Sequence, residues 1–139
     1  MATPSDPTAR KFYRAAVARL GDADALINGG RHAGAVYMAG YVVECGLKCV
    51  ILVSSPAAAR ESIARGFRGR SGHDLDALRR QFASTAAASI PFAVVADLDL
   101  VATWDVQSRY DPREASERQA GRFLAAARRV LEWVDRTST

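Results

Sequence analysis

The sequence holds almost no lysine, histidine or cysteine. Its positive charge comes from seventeen arginines, with Lys11 and Lys48 the only lysines and His32 and His73 the only histidines. Cys45 and Cys49 are the only cysteines. They stand four apart on one helical stretch, a spacing that does not favour a bridge, and no second Cys or His cluster completes a metal site. Both therefore read as small core residues, and a disulfide-stapled or zinc-held design is excluded. Alternating apolar and polar residues, the mark of a half-buried strand, are also missing, as are internal repeats and low-complexity segments. The start, MATPSDPTARKF, has no apolar signal core, and the long apolar stretch carries Glu44 and Lys48 near its middle, which makes a membrane span costly. These absences lead us to expect a cytoplasmic, reducing setting without membrane contact. No Gly-rich phosphate loop, HExxH or nucleophile elbow occurs, so no metal and no cofactor is expected.

What is present suits a single domain over residues 1–139, long enough to bury a sizeable core. Apolar residues make up 49% and charged residues 24%, a balance of globular rather than disordered chains. The arginine bias has two readings. Guanidinium groups grip phosphate bidentately, which would suit nucleic acid; GC-rich coding DNA enriches Arg and Ala together without any such role. A formal charge of +4 does not decide between them.

The stretch around which the chain is organised is 32–54, HAGAVYMAGYVVECGLKCVILVS. A helix that is apolar on all sides is a buried one. At 100° per residue, Tyr37, Tyr41, Glu44 and Lys48 fall within roughly 60° of one another, so its polar atoms form one line. Gly34, Gly40 and Gly46 inside it each cost about 1 kcal/mol of helix propensity relative to Ala, which fits a helix closely approached by partners, including a second copy in a dimer. Before it, after a flexible tail at 1–7, Phe12, Ala16, Leu20, Ala23 and Ile27 mark a first helix that Gly29-Gly30 ends.

After it, Ser54-Ser55-Pro56 stops the helix and an irregular basic connector runs over 55–72, with a short helical piece near 57–64. Six arginines against Glu61, Asp74 and Asp76 over 60–80 could track a phosphate backbone or simply be solvated. Ser71 is expected to cap a third helix carrying Leu75, Leu78 and Phe82 to about Ala87. Pro91 opens a fourth with Val94, Val95, Leu98 and Val101. Asp111, Pro112 and Glu114 form a start signal for the last helix, with Phe123, Ala127, Val130 and Val134 on its buried side. The fold class expected is all-α, an up-and-down bundle of four to five helices.

Glu44 precedes Lys48 by four, the favourable orientation for a helical ion pair. Buried, such a pair either satisfies itself, with help from Tyr37 or Tyr41, or Glu44 orients a basic residue from elsewhere, Arg109 being the candidate. Arg109-Tyr110, ahead of a helix start, offers a phosphate both dipole and guanidinium, and Trp104 and Tyr110 could stack on a base or simply pack. His73, in SGHDL, reads as a capping, packing or catalytic histidine.

The segments YMAGYVVECGLKCVI, GHDLDAL and WDVQSRYDP, followed by a helix containing FLAAARRVLEWV, closely resemble the HEPN domain family, in the same order and over nearly the whole chain. The resemblance implies a helical bundle, frequently homodimeric. Family members include ribonuclease toxins, partners of minimal nucleotidyltransferases and nucleotide-binding modules. The ribonucleases use an Arg, four to six intervening residues and a His near the start of the last core helix. Here that Arg corresponds to Arg109, and Glu114, Ala115 and Ser116 stand where the His should fall. Arg68 and His73 satisfy the bare spacing, but in the connector. The expectation is therefore binding of nucleotide or RNA phosphate by Tyr37, Tyr41, Glu44, Lys48, Trp104, Arg109 and Tyr110, in a component of a toxin-antitoxin or defence-type system. One alternative is a metal-independent endoribonuclease toxin using Arg109 and His73. The other is a non-catalytic dimeric interaction module.

Overall fold

The structure, a computed structural model, describes residues 3–85, 89–103 and 115–138. Six α-helices occur among them: α1 (Pro7–Asn28), α2 (His32–Val53), α3 (Arg60–Gly66), α4 (Leu75–Thr85), α5 (Phe92–Val101) and α6 (Glu117–Ser138). The described residues contain no strand, so the architecture is all-α, with one short helix beyond the expected four to five. That extra helix is α3, in the connector, after a 3-10 turn over Ala57–Ala59.

Local chemistry sets the ends of α1. Asp6 accepts a bond from the Ala9 amide at 2.8 Å, Pro7 occupies the first turn, and Gly30 leaves the helix at φ 77°, a conformation that favours glycine. The end of α2 is closed from a distance. Arg60 donates through Nε to the carbonyls of Leu52 (2.8 Å) and Ser55 (3.1 Å) and pairs through Nη1 with Asp6 at 3.2 Å. A cation at a helix C-terminus satisfies orphan carbonyls and complements the dipole; one connector arginine is thereby structural.

The central helix packs chiefly against α1 and α6, with α4 and α5 completing its surroundings. By length and mean hydropathy α2 could cross a membrane, yet 67% of its apolar window is buried inside the bundle. Leu47, Val50, Ile51 and Leu52 share one buried core with Val130 and Val134 of α6, where Phe82 of α4 sets its ring edge-on to Trp133 at 5.4 Å. A Cβ on Gly46 would come within 3.1 Å of Val134. The close approach that this glycine permits is therefore to α6 of the same chain.

Two expected helix starts are corrected. Asp74, not Ser71, caps α4, accepting from the Ala77 amide at 3.1 Å, because residues 70–73 are used up in a 3-10 turn. The last helix begins at Glu117 rather than near Pro112, with Ser116 Oγ accepting from the Gln119 amide at 3.0 Å. Ser116 thereby caps the first described turn, and the Asp111-Pro112 signal lies outside the described residues.

Two expectations follow for stability. Gly21 lies inside α1, and a Cβ added to it would meet nothing within 4 Å, so Gly21→Ala should stabilise the protein by about 0.5–1 kcal/mol in urea denaturation. Tyr13, buried in α1, donates its hydroxyl to Asp135 of α6 at 2.8 Å. Burial first, then the neighbouring carboxylate, push its phenol up from 10.0 to about 12. The neutral phenol is the form the fold favours, so this contribution is intact below pH 10 and is lost as pH rises from 10 to 12. Tyr13→Phe should flatten the stability profile in that window, measured by denaturation at stepped pH.

Candidate functional site

The polar line on α2 divides into a half-buried and a buried part. Towards the N-terminal half, Tyr37 and Tyr41 stand one turn apart with hydroxyls at 3.2 Å and rings edge-on at 5.1 Å. One turn further on, Glu44 and Lys48 are 3% and 5% exposed, and Lys48 Nζ donates to Glu44 Oε2 at 3.1 Å. Lys48 also lies 5.7 Å from the ring centre of Phe12 and 5.6 Å from that of Phe67, which meet each other edge-on. Aromatic faces partly replace the water that the ammonium has lost.

The other carboxylate oxygen of Glu44 faces His73. Oε1 is 3.3 Å from His73 Nδ1, across 29 residues of sequence. An Nδ1–H donated to this carboxylate leaves Nε2 as the free ring nitrogen, on a side chain that is 51% exposed. What brings His73 there is the connector: Phe67 enters the core, the chain turns back through Gly69, and Gly72 packs directly on the Phe67 backbone. Only a residue without a side chain fits at Gly72.

His73 and the edge of Lys48 line a cleft of about 740 Å³ between the start of α1, α3 and the connector. Lys11 and Phe12 line it from α1, Arg65 from α3, and Phe67 and Arg68 from the connector. Glu61 is the acid on its wall and is held by Arg65 at 3.4 Å. Among the described residues no carboxylate pairs with Lys11 or Arg68. The cleft thus presents two uncompensated cations beside an imidazole whose orientation is set by a buried acid, an arrangement suited to an anion.

Of the residues expected at the site, the structure brings Glu44, Lys48 and His73 together. Tyr37 and Tyr41 pair with each other and do not line this cleft. Trp104, Arg109 and Tyr110 lie outside the described residues. Within the described residues the basic side chains that Glu44 meets are Lys48 and His73; the expected contact with Arg109 lies outside them. Periodicity alone assigns Lys11 to helix surface, Phe12 to the core and Arg65 to a basic connector, with no sign that a cleft forms among them. The spacing from Arg68 to His73 was the available signal for the cleft, since both line it.

By its fold this is an all-α bundle wrapped around one buried apolar helix, with a charged cleft at the flank of that helix. The chain belongs to the HEPN domain family, whose model matches residues 9–137. Membership ties it to nucleotide- or RNA-related function in general terms. No curated protein and no solved structure matches the chain.

Proposed function

We propose that the chain binds the phosphate of a nucleotide or of RNA in the cleft beside His73. One observation carries the reading: Lys11 and Arg68, without carboxylate partners among the described residues, share the cleft with an imidazole fixed by buried Glu44. Each can donate to phosphate oxygens, and Arg68 can do so bidentately. Burial of Glu44 and Lys48 as a pair keeps that acid from repelling the ligand. Isothermal titration with mononucleotides tests this. Lys11→Ala and Arg68→Ala, both at exposed positions, should each weaken binding about tenfold, the effect of a lost charge-assisted bond, while leaving thermal stability unchanged. Absence of nucleotide binding by the native chain would overturn the reading.

The contact between His73 and Glu44 supports a second reading, metal-independent cleavage of RNA. A carboxylate-oriented imidazole is the usual general acid-base device, and Arg68 in the same cleft could stabilise charge developing on the phosphate. RNA cleavage in the presence of a chelator, lost in His73→Ala and Arg68→Ala, would support it; cleavage undiminished in both variants would remove it. A homodimer in a toxin-antitoxin setting, with a minimal nucleotidyltransferase as partner, belongs to this proposal through the family. Light-scattering mass measurement and co-purification test those two points.

A further inference from the structure

A second charged groove lies elsewhere in the bundle. Arg118, Arg122 and Arg129 of α6 stand four and seven residues apart on one helical face, with Gly121 and Ala125 between them. At 1.5 Å per residue they extend over about 16 Å. Together with Ala96, Asp97 and Leu100 of α5 they enclose a groove of about 520 Å³.

The acid in this groove is already engaged. Asp97, 7% exposed, accepts from Arg129 Nε at 2.9 Å and from Nη2 at 2.7 Å, a fork that fixes the guanidinium while its side chain stays 57% exposed. Arg118 and Arg122 are exposed, and no carboxylate among the described residues pairs with either. Gly121 and Ala125 leave the floor low; a Cβ on Gly121 would meet nothing within 4 Å.

We infer that this groove between α5 and α6 holds the sugar-phosphate backbone of single-stranded RNA, at a site separate from the His73 cleft. A linear polyanion needs cations at intervals and room to lie close to the helix, and the groove supplies both. At about 3.4 Å per nucleotide in a stacked strand, the roughly 6 Å between the unpaired Arg118 and Arg122 matches about two phosphates, and the groove continues past the paired Arg129. An acidic peptide fits less well, because a floor of glycine and alanine has no pocket to grip its side chains. Backbone contacts of this kind carry no base selectivity, so binding here is independent of sequence.

The test uses the full chain, a fluorescent oligouridine of about 12 nucleotides and anisotropy over a range of salt. Arg118→Ala/Arg122→Ala should weaken binding about tenfold and reduce the salt slope by about 1.4, the value for two phosphate contacts on a single strand. Gly121→Leu, which fills the groove while keeping every charge, should weaken it comparably. Both variants should keep the mononucleotide affinity of the native chain, so loss of the cleft's binding and loss of this one are read separately. Native-like binding of the oligomer by both variants would overturn the inference. So would failure of the native chain to bind the oligomer, or equally tight binding of an oligoglutamate of the same charge.

Discussion

Glu44→Ala is expected to destabilise the fold by about 3–5 kcal/mol, a large fraction of what a domain of this size has. The cost comes from what the substitution leaves behind. Lys48 is 5% exposed and would keep its ammonium in the interior beside the rings of Phe12 and Phe67, without its carboxylate partner. Its side chain, 6% exposed where it lines the cleft, has little water to replace the lost partner. Glu44→Ala/Lys48→Met removes both charges and should recover most of the loss, because a buried pair is worth little against a well-packed apolar replacement. Urea denaturation of the two variants checks this. A cost below about 1 kcal/mol for Glu44→Ala, the range of exposed pairs, would show that the pair is solvated.

Gly72→Ala is the second large effect. A Cβ there would overlap the carbonyl oxygen of Phe67 and lie within 2.6 Å of its carbonyl carbon. Both are backbone atoms and cannot rotate aside. Relief requires the connector to move, which we expect to cost about 3 kcal/mol, at the upper end of overpacking penalties. It should also draw His73 away from Glu44. Gly66→Ala is the control, since a Cβ there meets nothing within 4 Å. The imidazole resonances of His73 should shift in Gly72→Ala and hold still in Gly66→Ala, with nucleotide affinity following the same order. Unchanged His73 resonances in Gly72→Ala would separate the connector turn from the site.

These two residues show why parts of the site were legible in the sequence and others were not. Glu44 and Lys48 could be paired from spacing alone, since i and i+4 are neighbours on any helix, and their burial followed from the apolar residues on every other side of α2. Gly72 carried no such signal. Its role depends on the chain returning upon Phe67, which no local periodicity encodes. His73 stood out by its place in GHDLDAL and its spacing from Arg68, but its distance to Glu44 depends on how the connector closes over α2. Lys11 looked like solvated charge because nothing in a single helix reveals which of its exposed residues face a cleft formed by three elements, and the reading of Arg68 stayed open between phosphate contact and solvation for the same reason.

Sequence by itself determined the helical class, the limits of α1 and α2, and the placing of an acid and an amine inside the bundle. Those features are legible in periodicity, caps and stop signals that act within about four residues, although Arg60 completes the end of α2 from further along the chain. The tertiary structure alone decided that Glu44 reaches His73 and that α6 sets its arginines beside α5. Each of these depends on how segments far apart in the chain are packed together, and such packing follows from apolar faces meeting, which no single segment contains.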